Sequence, residues 1–353
     1  MKRVLWTSWS KLEAEFELSR IRNIPLQHQW INGHLTRPMP QDIYLTTNGY
    51  NHQMGPFRKA TWYAESFTYL DQEYTNYNLN ASRWDMRFHF NPNYCTQPKT
   101  MHHQIMTWWK DEKQLFDQTS KNKQAKYMFG MCLSKKPAPK FPSDWGYYRT
   151  KVVEALKGRS FKYYGGGWDI NDPNYQREKY VNGHRGTPIK FNDARILLTD
   201  CKFVWALENS HDPVYSKNYL TEKIFHGFLS ASIPIYLGCC NIHEIIDPDL
   251  FIDIRKFNYD PKAVADFCEK MPDSEYQGYI ERIGKFLEGK GQEFTCEARF
   301  LELDQKLAKV FAGSVPVSAA PAPAPIQVKQ PQRPLRVQRP LRVVRFPPRR
   351  PLR

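Results

Sequence analysis

The sequence predicts an α/β protein of two domains followed by a low-complexity tail, and three observations carry that reading. Short apolar runs alternate with amphipathic stretches through residues 1–313, the rhythm of strands packed on helices. A proline- and lysine-rich stretch, Ser134 to Pro142, interrupts that rhythm, and from Ser314 alanine, proline and arginine replace it. A chain of 353 residues, 41% of them hydrophobic, is long enough to bury two cores of ordinary size.

In chain order, Arg3–Thr7 and Asp42–Thr46 read as strands, and Tyr127–Leu133 as a strand running into the interruption. Three prolines and three lysines within Ser134–Pro142 continue neither helix nor strand. The first domain is therefore expected over 1–133, a linker over 134–142 and the second domain over 143–313. Tyr148–Leu156 reads as a helix with Val152, Val153 and Leu156 on one face, stopped by Gly158. Phe161–Tyr164 is a short strand before Gly165-Gly166-Gly167. Phe203–Leu207 is a continuous apolar strand of the kind buried on both faces. Thr221–Ser230 is a helix capped by Thr221, with Ile224, Phe225, Phe228 and Leu229 as its buried stripe. Ile233–Leu237 is the next strand, ended by Gly238, and its Pro234 is tolerable near the strand start. Ala263–Lys270, Tyr279–Leu287 and Ala298–Phe311 read as helices.

The net charge of +15 is unevenly spread. Residues 314–353 hold one Lys, eight Arg and no acid, so the tail carries +9 and the body 15 − 9 = +6. A nucleic-acid binder would spread basic residues over its folded body, so no specific nucleic-acid partner is expected. Aromatic residues make up 14% of the chain, which suits stacking on sugar rings and equally suits an aromatic core. Seven cysteines without a CxxC pair read as reduced thiols. Met1-Lys2-Arg3-Val4-Leu5-Trp6 leads into no long apolar run. Neither a signal peptide nor a membrane anchor is expected, the sequon Asn80-Ala81-Ser82 carries no meaning, and the chain reads as cytoplasmic.

The chemistry concentrates after Leu207. The strand ends in Glu208-Asn209-Ser210, and a loop leads to the helix start Thr221-Glu222-Lys223. Ligands of open parallel sheets sit beyond the strand carboxyl ends, and a helix start offers free N–H groups and a positive dipole end to phosphate. Lys223 adds a full charge where the dipole disfavours it. It is either an anion ligand or a surface lysine paired with Glu222. Gly165–Gly167 can let backbone approach a nucleotide but lacks the GxGxxG and Walker patterns, and is equally a flexible loop. Asp247-Pro248-Asp249 spells DxD, yet the central proline favours a turn and helix cap over metal binding. Glu65 lies among aromatics in Trp62–Phe67. There burial can tune it as a general base, or it is a solvent-facing residue on an edge strand. His102, His103, His184 and His211 lack partners at ligand spacing and read as structural or surface residues.

Phe203–Ser210, Tyr219–Ile224, Ala231–Gly238 and Phe251-Ile252 together resemble the donor-site signature of glycosyltransferase family 10, the α-1,3/1,4-fucosyltransferases. Trp62–Phe67 is similar to the family's segment around its catalytic glutamate, and Arg149 matches the arginine the family aims at the diphosphate. The resemblance covers about residues 60–305. It implies a GT-B architecture of two facing Rossmann-like domains with a cleft between them, the donor GDP-fucose on the C-terminal one and a glycan acceptor in the cleft. It implies an inverting transfer from GDP-β-L-fucose to an N-acetyllactosamine-like acceptor, with Glu65 as base. Arg149 and Lys223 would neutralise the departing diphosphate and Glu222 would hold the ribose. Asn209 and Tyr219 would contact phosphate or nucleoside, and Gly165, Gly166 and Gly167 would flank the nucleotide. No metal or other cofactor is required, a divalent metal being at most stimulatory. An alternative is another nucleotide-sugar donor on the same architecture.

Tyr77–Asp85 matches the acceptor-side pattern of animal members only in part, and the cysteine pairs of secretory-pathway members are absent, which resembles the soluble bacterial branch. The hexapeptide Gln332–Val337 recurs as Gln338–Val343, with a proline in each. A disordered or polyproline-like tail follows. Its arginines, interleaved with Leu, Val and Phe, suit peripheral attachment to an anionic membrane surface.

Overall fold

The computed structural model describes residues 2–7, 11–33, 35–36, 39, 42–47, 58–63, 86–92, 95, 100–136, 145–176, 193–213 and 216–312. The tail 314–353, most of the expected linker (137–142) and the segment holding Glu65 lie outside them.

Two parallel sheets organise the chain. The first contains β1 (Arg3–Thr7), β2 (Gln29–Asn32), β3 (Ile43–Thr47), β4 (Arg58–Tyr63), β5 (Met86–His89) and β6 (Thr100–His102), in the order β2-β1-β3-β4-β5-β6. The second contains β7 (Tyr127–Cys132), β8 (Phe161–Tyr164), β9 (Cys201–Leu207), β10 (Ile233–Leu237) and β11 (Ile252–Asp253), in the order β11-β10-β9-β7-β8. Every pairing is parallel. Both sheets therefore reverse strand order once, between β1 and β3 in the first and between β7 and β9 in the second. At such a switch point the loops leave the carboxyl ends in opposite directions and open a crevice. The architecture is the two-lobed α/β arrangement called GT-B.

The helices are α1 (Lys11–Arg20), α2 (Lys113–Lys121), α3 (Tyr148–Ala155), α4 (Asp193–Leu197), α5 (Glu222–Leu229), α6 (Pro261–Glu269), α7 (Asp273–Glu288) and α8 (Cys296–Phe311). Strand β10 is buried along its whole length and β9 nearly so, as their continuous apolar runs require. The stripe Ile224, Phe225, Phe228 and Leu229 of α5 joins the same core.

Two expectations are corrected. Strand β7, expected to close the first domain, is an interior strand of the second sheet, flanked by β8 and β9. Of the expected linker, Ser134, Lys135 and Lys136 follow that strand within the second lobe, Lys135 N–H donating to Gly166 O at 2.9 Å. Helix α8, expected in the second domain, packs Phe300, Leu303, Leu307 and Phe311 into the core of the first, with Val4, Trp6 and Phe88. The chain thus enters the second lobe near Trp108 and leaves it at Thr295. These two crossings lie side by side: the Thr107 hydroxyl donates to Phe294 O at 2.7 Å and Cys296 N–H to Trp108 O at 2.7 Å. In α8 the buried Asp304 carboxylate takes hydrogen bonds from Gln27 N–H, His28 Nδ1 (2.8 Å) and Trp30 Nε1 (2.7 Å), which pins the helix to β2.

Candidate active site

Three loops meet at the second switch point: residues 133–136 after β7, Gly165–Gly167 after β8 and Glu208–Ser210 after β9. Arg149 ties the first and the third together. It sits in the first turn of α3, 2% exposed, and its guanidinium donates to Ser134 O (2.9 Å), Leu207 O (3.0 Å) and Asn209 Oδ1 (2.8 Å). Its planar fork presents donors on separate nitrogens, Nη1 to Ser134 and Nη2 to Leu207 and Asn209, a spread that the single nitrogen of a lysine does not have. Gly165, at φ +128°, passes so close to the β7 end that a Cβ would collide with Leu133 O and Ser134 N. Gly166 N–H donates to Ser134 Oγ at 3.3 Å and Lys135 N–H to Gly166 O at 2.9 Å, so the glycine loop is laced to its neighbour.

The second half of the site lies where α5 begins. Thr221 occupies the N-cap position, but its side chain does not cap the helix, which corrects the sequence expectation. It turns to Glu208 instead. Thr221 N–H donates to Glu208 Oε1 at 3.0 Å, and the hydroxyl lies 2.8 Å from both carboxylate oxygens. Lys223 Nζ donates to the Thr221 hydroxyl (2.9 Å) and meets Glu208 Oε2 and Glu222 Oε1, each at 3.1 Å. The lysine is therefore both of the things the sequence left open, a partner of Glu222 and a nearly buried cation at a helix start. Burial raises the Glu208 carboxyl above its ordinary range against the pull of Lys223. Burial works the same way on Glu222, but Lys223 outweighs it and brings that carboxyl down to about 2.

Among the expected site residues, the structure brings Arg149, Gly165–Gly167, Asn209, Glu222 and Lys223 to the carboxyl end of one sheet. Adjacent residues divide the work: Asn209 holds the guanidinium and Glu208 holds the ammonium. Tyr219 is not brought there. It is fully buried in the first lobe's core, its ring 5.2 Å from that of Phe90, while Leu220 beside it lies in the second core. Asn218, at φ +58°, makes the bend that sends one residue each way. Glu65 lies two residues beyond the end of β4 and outside the described residues. Asp247 accepts from Asp249 N–H at 2.9 Å and caps the 3₁₀ turn Pro248–Leu250, the duty favoured for it over metal binding. His211 also serves structure, bonding Gly238 O (2.8 Å) and Tyr259 Oη (3.1 Å). Glu208 was not singled out from sequence. Its one signal is a charged residue directly after an apolar strand, with glycine in the matching place after β10.

Residues 173–286 match the family model described as glycosyltransferase family 10 (fucosyltransferase) C-term. The mouse 4-galactosyl-N-acetylglucosaminide 3-alpha-L-fucosyltransferase 9 is 33% identical over 84 residues, 23% of this chain and 22% of that protein. An Arabidopsis thaliana alpha-(1,4)-fucosyltransferase is 34% identical over 104 residues, 28% of this chain and 25% of that protein. The matches thus span about a quarter or less of these curated relatives. Across nearly the whole chain the fold is similar to a crystal structure of an alpha1,3-fucosyltransferase with GDP, with TM-score 0.50, 15% identity and coverage of 89% of this chain and 92% of that one. A second alpha1,3-fucosyltransferase structure gives TM-score 0.53 at 13% identity, covering 89% and 91%. Residues 173–286, where Glu208, Asn209 and the start of α5 lie, are thus the part of the chain similar to the C-terminal domain of glycosyltransferase family 10, the fucosyltransferase family.

Proposed function

We propose that the protein is an inverting fucosyltransferase that moves L-fucose from GDP-β-L-fucose to a GlcNAc-type hydroxyl of an N-acetyllactosamine-like glycan, through an α-1,3 or α-1,4 linkage. The observation that carries this reading is that neighbouring residues just after β9 hold two cations, Asn209 the Arg149 guanidinium and Glu208 the Lys223 ammonium at the start of α5, in a region that matches the family-10 model. A diphosphate placed there meets helix N–H groups, a guanidinium and an ammonium. Glu222, its side chain one-third exposed, is left to accept from the ribose hydroxyls, and the Gly165–Gly167 backbone flanks the nucleotide.

In the reaction the acceptor oxygen attacks fucose C1 from the face opposite GDP. The C1–O bond to phosphate breaks and its electron pair leaves on the phosphate oxygen. The acceptor proton passes to Glu65. Charge grows on the leaving diphosphate, and preplaced cations stabilise it without reorganising. No metal is assigned a step, so EDTA should leave transfer in place. In 314–353, the +9 charge would draw the enzyme to anionic membranes. Equal flotation of the full chain and of residues 1–313 with anionic liposomes would end that part.

Calorimetry with GDP and UDP tests the donor assignment. GDP should bind and compete with donor, and UDP should not. UDP binding in place of GDP would transfer the reading to a different nucleotide sugar. Glu65→Gln should keep GDP binding and lose transfer by ~10²-fold or more. Near-normal turnover in that variant would remove Glu65 as base.

A further inference from the structure

Glu208 presents a physical puzzle. A site built to bind a diphosphate carries a buried carboxylate at its floor, and burying a negative charge is unfavourable unless it is paired. The side chain is fully removed from solvent. Its place is nevertheless prepared on every side. Glu208 N–H donates to Leu237 O at 2.8 Å, which fixes the backbone against β10. Gly238 follows β10 without a side chain, and a Cβ there would collide with Glu208 Cβ and Cγ. The Thr221 hydroxyl stands between the carboxylate and Lys223 Nζ, 2.8 Å from one and 2.9 Å from the other.

Lys223 needs such a holder. Its ammonium sits on a flexible four-carbon stem in the first turn of α5, where the helix dipole repels it. With nothing negative below it, Nζ would relax outward into water and away from the crevice. Glu222 meets the ammonium at the same 3.1 Å, but its side chain is one-third exposed where that of Glu208 is wholly buried, so of the two only Glu208 holds it from within the protein. Resting on the fucosyltransferase reading above, we infer that Glu208 is a positioning residue. Together with the Thr221 hydroxyl it fixes the Lys223 ammonium at the depth where the diphosphate of the donor is met. Glu208 itself does not touch the donor and acts only through Lys223.

The test is a double-mutant cycle read by GDP calorimetry on the full chain, with thermal unfolding followed beside it. Glu208→Gln keeps the shape of the side chain and an oxygen for Thr221 N–H but removes the charge. It should weaken GDP binding roughly tenfold, the scale of a lost charge-assisted contact. In a Lys223→Ala background the same change should cost nothing further, because the residue through which Glu208 acts is gone. Thr221→Val leaves both charges and removes the bridge, and should weaken GDP binding a few-fold, again only while Lys223 is present. If Glu208→Gln fails to fold, the Thr221→Val cycle decides alone. Equal losses with and without Lys223 would mark a scaffold residue and overturn the inference, as would unchanged or tighter GDP binding in Glu208→Gln. Absence of GDP binding by the unsubstituted protein would instead remove the donor reading on which this one stands.

Discussion

Asp304 in the first lobe and Glu208 in the second are both carboxylates removed from solvent, and their surroundings push them in opposite directions. Burial disfavours the charge of each. At Asp304 it is outweighed by the donors of His28, Trp30 and the Gln27 N–H, which hold that carboxyl below its ordinary range. At Glu208 burial wins and the carboxyl rises, because one hydroxyl, one N–H and one lysine do not offset it. Asp304 is served by three groups near one strand, which exist to fasten α8. Glu208 is served by a cation that has a second task. Compensation by fixed groups marks a structural carboxylate, whereas dependence on a side chain aimed at a crevice marks one that belongs to a site.

The comparison can be sharpened or broken by measurement. The largest effect is expected at Arg149, whose guanidinium joins the loops after β7 and β9. Arg149→Ala should lower kcat/KM about 10³-fold, and Arg149→Lys should recover little because an ammonium lacks the planar fork whose separate nitrogens reach Ser134 O and Asn209 Oδ1. Asp304→Ala leaves an imidazole and an indole N–H without their acceptor and should cost about 3 kcal/mol in urea unfolding. GDP affinity of its folded fraction should be unchanged. Lys223→Ala should weaken GDP binding between roughly tenfold and hundredfold and, by leaving Glu208 buried without its cation, should also lower the unfolding midpoint.

Smaller effects follow from pH. The Asp304 carboxyl is depressed on folding, so its contribution is present above the ordinary aspartate range and lost as pH falls through the folded value. Acid unfolding should therefore begin below about pH 4, and Asp304→Asn should flatten that limb. Glu208 has the opposite sign. Its raised value means that the folded protein binds the proton first, so its ionised form lowers stability as pH rises. Glu208→Gln should thus flatten the fall of stability as pH rises above the ordinary glutamate range. If it instead destabilises the protein as much as Asp304→Ala, the two carboxylates do the same job and the comparison fails.

The sequence was most informative where one residue type had one reason. Phe203–Leu207 is apolar without interruption because β9 lies inside a sheet, and the helix start after it shows in its own residues. The partners of those elements were not legible. Glu208 is separated from Thr221 and Lys223 by a loop, and no local pattern states that the loop folds back on the strand end. Ser134–Pro142 has the composition of a linker, but composition does not say which sheet the strand before it joins, and the pairing of β7 with β9 puts that strand in the second lobe. The stripe of α8 announces a buried face without naming the sheet that buries it. The family resemblance implies a donor contact for Tyr219, yet after one left-handed residue, Asn218, its ring lies in the other lobe's core.

The return of α8 has a consequence for how the protein is made. The first lobe comes off the ribosome early, but its core stays open until residues 296–311 are synthesised, and Asp304 must find His28 across 276 positions. The second lobe, contiguous between Trp108 and Thr295, has all its strands before then. The lobe begun first is completed last, its sheet waiting for a helix that closes a loop almost as long as the folded chain. A nascent chain halted before α8 would present Trp6, Phe88 and Phe90 unburied, the kind of apolar surface that engages chaperones.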